Sequence, residues 1–170
     1  MLYTKTNPVG IDLQIQRAQT YLHDKLVTAF DCDISAYGRV YTDKDNNDSV
    51  KPRAYIGNGE YKELLTDDTI NGLHFFFIEN EESTIISRSC MSDNEVDIIF
   101  IIDNLTKVKG SIEHYADEEI KEEIKSYLRG FFEIQSVIKG EKALDGFDIS
   151  QLQFIYPYFV FKLKVIIKEY

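Results

Sequence analysis

The sequence predicts an α+β domain in which a mostly antiparallel sheet carries two amphipathic helices packed on one face. Two stretches, residues 8–27 and 117–132, repeat apolar side chains at helical spacing. The C-terminal stretch 158–168 alternates apolar and lysine side chains, which is typical of a strand with one buried face. The run 98–102 is entirely apolar and fits a strand buried on both faces. We therefore expect a single domain over residues 1–170, a common size for one hydrophobic core.

The first helix is expected over residues 8–27. Its apolar side chains recur at spacings of four, three, four and four, so they lie on one helical face. Asn7 and Pro8 supply a cap and a first-turn proline. The opposite face is polar and is predicted to face solvent. The apolar stripe is Ile11, Ile15, Ala18, Leu22 and Leu26, and the polar face carries Gln16, Arg17, Gln19 and Lys25.

A hairpin with a long polar loop is predicted over residues 36–56. Residues 36–41 form its first strand because they are rich in aromatic and β-branched side chains. Residues 42–49 are too polar to bury, and residues 50–56 return as the second strand. We expect the loop to be mobile alone or to be ordered by a neighbouring molecule. Residues 60–65 fit either a short strand or a turn of helix.

A meander of three strands is predicted over residues 72–103. The candidate strands are 72–79, 84–89 and 96–103, separated by short polar turns. The third is apolar on both faces, which places it near the centre of the sheet. Close spacing with polar turns favours antiparallel neighbours.

The second helix is expected over residues 117–132. Acidic residues crowd its first turns and basic residues lie towards its end, an order that suits the helix dipole. Residues 133–138 are ambiguous, and residues 139–150 form a polar connection that we expect to be mobile alone or ordered by a neighbour. The apolar stripe of this helix is Ile120, Ile124, Leu128 and Phe131.

The strand over residues 158–168 is the clearest in the chain. Its strict alternation predicts one face against a core and one face in water. Pro157 fits at the start of this strand. The face predicted to be buried carries Phe159, Phe161, Leu163, Val165 and Ile167, and the face predicted to be wet carries Lys162, Lys164 and Lys168.

Composition and charge exclude several classes of function. The 29 acidic and 19 basic residues give a net charge of −10, which argues against a broad grip on nucleic-acid phosphates or on an anionic membrane. Residues 1–10 lack the basic start and apolar stretch of a signal peptide. The run 98–102 is far shorter than the ~20 residues that span a bilayer. We expect a soluble chain inside the cell.

Residues that could support catalysis or bind a metal are few and scattered. Cys32 and Cys90 lie far apart in sequence and are expected to be reduced thiols. His23, His74 and His114 have no metal-ligand spacing, so we expect structural roles for them. A cysteine–histidine pair formed through space stays open as an alternative. We predict no enzymatic activity and no cofactor or metal.

One short motif resembles the start of a calcium-binding loop. Asp43, Asp45 and Asn47 alternate as the first ligands of an EF-hand do. The sixth position, however, is Asp48 instead of glycine, and the twelfth is Ala54 instead of glutamate. Because the sharp turn and the bidentate ligand are both missing, we interpret the segment as a solvated hairpin loop.

Two short segments and the overall layout carry a family resemblance. Residues 7–12 read NPVGID and lead into a glutamine-rich helix, and residues 55–62 read YIGNGEYK and are followed by Asp67 and Asp68. Both segments resemble small virion proteins of tailed phages that infect Bacteroidota, a group that includes the crAss-like phages. The layout of a sheet flanked by helices also resembles tail-terminator and head–tail connector proteins.

This resemblance implies a structural role in the neck or tail of a virion that is assembled in the host cytoplasm. The chain would form a homo-oligomeric ring, stacked among portal, other neck and tail proteins, through which DNA passes without specific binding. An acidic ring wall is consistent with that role because it repels phosphate. The expected fold is then tail-terminator-like.

Contacts between subunits are predicted at the long hairpin loop and at tyrosines near strand ends. An exposed edge strand could also pair across the boundary between subunits. The tyrosines near strand ends are Tyr37, Tyr41, Tyr55, Tyr61, Tyr156 and Tyr158, and ordinary half-buried packing is the alternative for them. The predicted interface residues are Asp43, Lys44, Asp45, Asn46, Tyr55, Glu60, Tyr61 and Lys62.

Two other classes of protein stay open. One is a soluble adaptor inside the cell that binds a protein partner through its sheet edge. The other is a small hydrolase that uses cysteine or carboxylate groups in a cleft. A ring subunit differs from both because it makes large contacts with copies of itself.

Overall fold

The computed structural model describes residues 1–65, 72–86, 91–103, 108, 116–154 and 157–168. His114, Cys90, Tyr156 and part of the predicted strand 84–89 lie outside these residues. In chain order the described elements are α1 (Ile11–Ala29), β1 (Asp33–Arg39), β2 (Tyr41–Lys44), β3 (Val50–Gly57), β4 (Glu60–Glu63), β5 (Gly72–Ile86), β6 (Met91–Ile102), α2 (Ala116–Leu128), β7 (Glu133–Lys139), a 3₁₀ helix (Gly140–Leu144) and β8 (Phe159–Lys168).

The strands form two sheets. A five-stranded sheet has the order β1-β5-β6-β8-β7, and a three-stranded sheet has the order β2-β3-β4. All neighbours are antiparallel except β1 and β5, which run parallel. The predicted α+β class with a mostly antiparallel sheet and two helices is therefore confirmed.

Both helices pack on the same face of the five-stranded sheet. Buried residues of α1 and α2 form one apolar cluster with side chains from the central strands. Phe75, Phe100 and Phe161 lie side by side on β5, β6 and β8, with ring centroids 5.5 Å and 4.8 Å apart. Such pairs add about 0.5–1.5 kcal/mol each beyond the area that they bury. This face is the main core.

The opposite face of the same sheet is covered by the three-stranded sheet and the 3₁₀ helix. Phe76, Ile99 and Ile101 of the large sheet pack here with Ala54 of β3 and Leu144 of the 3₁₀ helix. The central strand β6 is thus buried on both faces, as its unbroken apolar run predicted.

Strand β8 confirms the predicted alternation on one face and corrects it on the other. Phe161, Leu163 and Val165 point into the main core and are almost fully buried. Lys162, however, is only 8% exposed, although its face was predicted to be wet. The prediction was wrong because the 3₁₀ helix and the segment after it cover this part of the second face. Lys164 is half-buried, and the side chain of Lys168 lies outside the described part.

The predicted hairpin over residues 36–56 was wrong in its first strand. Residues 33–39 form β1, which leaves the hairpin and pairs with β5 in the other sheet. The true partner of β3 is β2, Tyr41–Lys44, which lies inside the predicted polar loop. A strand in a small exposed sheet needs no apolar residues, so composition concealed β2. Residues 60–63 form β4, which settles the open choice at 60–65 in favour of a strand.

The predicted three-strand meander over residues 72–103 is in fact one long hairpin. The candidate 72–79 and the described part of the candidate 84–89 both lie in β5, which pairs with β6 and changes register between Glu79 and Ser83. A β-bulge at this position absorbs the polar residues that resembled a turn. The bulge bends a strand without ending it.

Helix boundaries and two side chains also differ from expectation. α1 begins at Ile11 after an N-cap at Gly10, so Asn7 and Pro8 precede it. Gln19, predicted to face solvent, is 1% exposed.

α2 ends at Leu128, which leaves Phe131 outside the helix and exposed. The ambiguous residues 133–138 lie within β7, and the predicted polar connection after them contains a 3₁₀ helix and a turn.

Candidate functional site

One face of the three-stranded sheet is buried and the other is exposed. Along β3, Pro52 and Ala54 are buried, whereas Arg53 and Tyr55 are exposed. This alternation follows from the period of two in a strand. We call the exposed side the outer face. By strand register its members are Tyr41, Asp43, Lys51, Arg53, Tyr55, Tyr61 and Glu63.

Cross-strand ion pairs occupy one part of the outer face. Arg53 of β3 contacts Asp43 of β2 at 3.1 Å, and Lys51 contacts Glu63 of β4 at 3.1 Å. Opposite charges on neighbouring strands stabilise a sheet by roughly 0.2–1 kcal/mol each. These pairs hold a sheet that buries little apolar surface of its own.

Three tyrosines occupy the other part of the outer face. The ring centroid of Tyr61 lies 5.7 Å from that of Tyr41 and 5.5 Å from that of Tyr55, and both pairs are edge-to-face. Their exposed fractions are 54% for Tyr41, 38% for Tyr55 and 50% for Tyr61. Aromatic rings prefer this relative orientation. We call the three residues the tyrosine cluster.

A tight turn between β3 and β4 positions the cluster. Asn58 and Gly59 have φ values of 53° and 79°, as a type I′ hairpin turn requires. The backbone N–H of Gly59 donates to the hydroxyl of Tyr55 at 3.4 Å. The Asn-Gly pair thus supplies the positive φ angles that bring Tyr55 and Tyr61 opposite each other.

The hairpin tip between β2 and β3 is ordered by its own side chains. The Asp45 carboxylate accepts hydrogen bonds from the backbone N–H groups of Asn47 and Ser49, at 2.8 Å and 3.0 Å. Asp48 adopts φ 62° and pairs with Lys44. These contacts form an Asx-type turn, which satisfies part of the backbone of the tip internally.

The eight predicted interface residues all lie in this small sheet but at two separate ends of it. Asp43, Lys44, Asp45 and Asn46 form the hairpin tip, whereas Tyr55, Glu60, Tyr61 and Lys62 lie at the turn between β3 and β4. Lys62 pairs with Ala54 and so belongs to the side opposite the outer face.

Three residues that build this region were not among the predicted interface residues. Tyr41 was noted as a strand-end tyrosine but was not selected, although it completes the tyrosine cluster. Arg39 and Gln19 carry the polar network beside the cluster. Arg39 lies two positions before Tyr41, so its proximity to the tyrosines could be predicted from sequence, whereas the burial of Gln19 has no local signal.

A cleft of about 290 Å³ lies between the tyrosine cluster and the start of α1. One wall consists of the three tyrosines. The other wall is polar and comes from the N-terminal segment, α1 and the end of β1. Its residues include Thr4, Lys5, Thr6, Asp12, Gln16, Gln19 and Arg39.

The charged groups of the cleft form a continuous chain of ion pairs. Asp12 accepts from Lys5 at 2.6 Å and from Arg39 at 2.9 Å, and Arg39 also pairs with Glu79 of β5. The hydrogen bond with Asp12 raises the pKa of Lys5. Partial burial works to lower the pKa of Arg39, but its bonds with Glu79 and Asp12 outweigh burial and raise it. Two cations and two carboxylates therefore neutralise one another.

Gln19 fixes the N-terminal wall of the cleft. Its side-chain amide donates to the carbonyls of Tyr3 and Ala36, at 2.7 Å and 2.9 Å. Leu2 forms a parallel bridge with Ala36, and the rings of Tyr3 and Tyr37 stack at 4.9 Å. A buried amide is stable only when hydrogen-bonded, so these contacts explain why a glutamine lies on the core side of α1.

A buried ion pair lies between β6, β8 and the 3₁₀ helix. Lys162 Nζ lies 3.1 Å from Asp97 Oδ2, and the amide of Asn80 donates to Asp97 Oδ1 at 3.4 Å. Asp97 and Lys162 are only 6% and 8% exposed. A shallow pocket beside them is lined also by Phe147 and Gly146. This pair has both of its charges satisfied, as a structural ion pair requires.

The described cysteine and the buried histidine do not form a nucleophile pair. His74 Nε2 lies 3.2 Å from the carbonyl of Leu64, on the face covered by the small sheet, and its Nδ1 lies 4.0 Å from Asp103. Cys32 packs against the opposite, helix-covered cluster. Burial raises the pKa of the Cys32 thiol to about 11, so it is protonated at neutral pH. Tyr158 lies near Asp103, on the same side of the sheet as His74. Burial and the charge of Asp103 raise the pKa of Tyr158.

Asp148 fastens the segment after the 3₁₀ helix to β3. Its carboxylate accepts from the Ser49 hydroxyl at 2.6 Å, and its backbone N–H donates to the carbonyl of Val50 at 2.8 Å. Hydrogen bonds from Ser49 and Ser150 lower the pKa of Asp148 from 3.8 to about 2.

The titration of Asp148 gives a testable pH dependence. A carboxyl whose pKa is lowered on folding contributes stability above its unfolded pKa and loses that contribution as pH falls through the folded value. We therefore expect this fastening to be intact above about pH 4 and to weaken towards pH 2. Carboxyl ¹³C NMR should show a midpoint near 2 for Asp148. Ser49→Ala should raise that midpoint, and an unchanged midpoint in the variant would assign the shift to another cause.

Other types of site have less support. Among the described residues, no three histidine, cysteine or acidic side chains converge in a way that could hold a metal ion. No helix in the described part of the chain has both the length and the apolar character needed to cross a membrane.

Comparison with family models, with curated proteins and with solved structures finds no match for this chain.

Proposed function

We propose that this chain is a structural virion subunit that assembles head to tail into a ring of the phage neck or tail. The observation that carries the proposal is the presence of two unlike exposed surfaces. One is the outer edge of β7, which ends the five-stranded sheet and with which no strand among the described residues pairs. The other belongs to the three-stranded sheet, which covers one face of the large sheet and exposes its own outer face and hairpin tip.

Two unlike surfaces favour heterologous contact. When one surface binds a different surface of the next copy, the assembly grows head to tail and closes if the rotation permits. An isologous dimer would instead use one surface twice. The hairpin tip and the tyrosine cluster form the surface that we expect to meet β7 of the next copy, since tyrosine is enriched at interfaces.

Strand β7 suits a specific contact better than indiscriminate pairing. Glu133, Gln135, Ser136 and Lys139 are exposed along it, and its register with β8 shifts between Ile134 and Ser136. Charges and bulges on an edge strand suppress pairing with unrelated strands. A partner must therefore match this edge in shape and charge, as a copy in a ring would.

Charge is consistent with a passage for DNA. A net charge of −10 repels phosphate, so a wall built from such subunits would not retain the duplex. The proposed partners are copies of the chain itself, with portal and tail proteins above and below the ring.

The assembly proposal predicts that two variants, each unable to assemble alone, form a dimer when they are mixed. In the first variant, Asn46–Asp48 is replaced by an Asn-Gly turn, which keeps Asp45 and Ser49 and fits a two-residue hairpin. In the second, Ser136→Arg obstructs the β7 edge. We expect each variant to melt like the wild type and to remain monomeric in sedimentation velocity, while the wild type forms closed rings at high concentration or on a portal template.

Mixing the two variants should give a dimer and nothing larger. Each variant retains one intact surface, so a single heterologous contact forms and growth then stops. Ser126→Arg, at an exposed serine of α2, is the matched control and should assemble normally. Normal assembly by either surface variant would show that the surface altered in that variant is not part of the interface. A wild type that stays monomeric with and without the template would contradict the ring and favour an adaptor.

A further inference from the structure

The cleft beside the tyrosine cluster has walls of opposite character. The tyrosine wall consists of three aromatic side chains that are each more than a third exposed. The facing wall offers hydroxyls of Thr4 and Thr6 and the amide of Gln16. Ligand sites commonly combine an apolar aromatic surface with a few polar groups that fix orientation. A ligand that fits here needs one apolar face and one face rich in hydrogen-bonding groups.

The charges of the cleft decide which polar ligands fit. Lys5 and Arg39 are both bound to Asp12, and Arg39 is also bound to Glu79. An anionic ligand would have to displace carboxylates from these cations, and a cationic ligand would have to displace the cations. Either exchange breaks charge-assisted hydrogen bonds, which are stronger than neutral ones. The cleft therefore favours a ligand without net charge.

We propose that this cleft binds a neutral saccharide. The C–H face of a sugar ring is apolar and stacks on an aromatic ring, while its hydroxyls both donate and accept hydrogen bonds. Hydroxyl and amide side chains match that requirement because they too act as donors and acceptors. The tyrosine cluster also belongs to the surface that we assign to ring contacts, so the saccharide site is tested on the monomer, where that surface is exposed.

The size of the cleft limits the ligand to one or two sugar rings. Its volume of about 290 Å³ lies at the lower end of the range for small-molecule sites. Tyr61 contacts both Tyr41 and Tyr55 and is half exposed, so we expect it to supply the central aromatic contact to the ligand. Gln16, whose side-chain oxygen already accepts from the Lys5 backbone at 2.8 Å, presents its amide N–H groups as donors.

A panel of neutral disaccharides at millimolar concentration tests the site by two-dimensional NMR. Maltose, cellobiose, lactose and N,N′-diacetylchitobiose are the probes. We expect at least one to shift the backbone amide signals of Gly38, Tyr41 and Gln16, which line the cleft. Tyr61→Ala should weaken that probe by about tenfold or more, and Tyr61→Phe should retain most of the affinity because the ring face is kept.

Controls separate a saccharide site from other readings of the cleft. Phe131→Ala removes an aromatic side chain that is 42% exposed elsewhere on the surface, and it should leave binding unchanged. Inorganic phosphate and a proline-rich peptide should give no shifts in the cleft. The proposal is overturned if no disaccharide shifts these signals, if Tyr61→Ala binds as well as the folded wild type, or if phosphate or the peptide binds the cleft more tightly than every sugar.

Discussion

Leu163→Asp is expected to unfold the protein. Leu163 lies at the middle of β8 and is fully buried in the cluster between the five-stranded sheet and both helices. An aspartate there would bury a charge with no partner among apolar side chains. Substitutions of this kind cost more than about 4–5 kcal/mol, which approaches the whole stability of a typical domain.

Lys164→Gln is the matched control one position further along the same strand. Lys164 is half-buried on the opposite face of β8, so glutamine there removes a charge without placing one in the core. We expect it to change stability by less than about 0.5 kcal/mol. Thermal melts followed by circular dichroism measure both variants. Equal melting temperatures for the two would show that the assigned faces of β8 are wrong.

Breaking the buried ion pair between Asp97 and Lys162 is the second large effect. Asp97→Ala leaves the Lys162 ammonium group buried at 8% exposure without its carboxylate partner. Removing one member of a buried pair costs about 3–5 kcal/mol because the remaining charge is uncompensated. Lys162→Ala should cost a similar amount through the uncompensated carboxylate of Asp97.

The double variant Asp97→Leu/Lys162→Met distinguishes a charge effect from a simple loss of packing. It replaces both charges with apolar side chains of similar size, and such exchanges are often neutral or stabilising. We expect its free energy of unfolding, measured in urea, to lie within about 1 kcal/mol of the wild type. A double variant as unstable as the two single variants combined would mean that the two residues act independently and not as a pair.

Sequence patterns predicted the parts of this fold that depend on local periodicity. The stripe of α1 and the alternation of β8 place Leu22 and Leu163 in the core without any knowledge of their partners. The apolar run of β6 likewise required burial on both faces, which the two clusters provide.

Pairing between distant segments could not be predicted in the same way. Residues 33–39 read as a strand, but only the position of β5 makes them its parallel neighbour instead of half a local hairpin. Lys162 read as solvent-facing because lysine usually is. Its burial depends on the 3₁₀ helix and on Asp97, which is 65 positions away in sequence. Such outcomes follow from tertiary contacts that a single sequence does not display.

The candidate site could likewise be predicted only in part from the sequence. Composition drew attention to Tyr55, Tyr61 and the hairpin tip, and the structure places all of them in one small sheet. Composition did not reveal the cleft, because the polar wall comes from residues 3–19 and 38–39 and the aromatic wall comes from residues 41–61. The ion pairs that neutralise the cleft also join three separate elements.

The position of β8 between β6 and β7 has a consequence for biosynthesis. β7 precedes β8 in the chain, but β8 is its only neighbour in the described sheet. The large sheet therefore cannot close until the last strand has left the ribosome. Until then, the edge of β6 that pairs with β8 remains unpaired. Pairing between distant segments is slow, and exposed strand edges promote aggregation, so we expect the chain to be most prone to aggregation before β8 is in place.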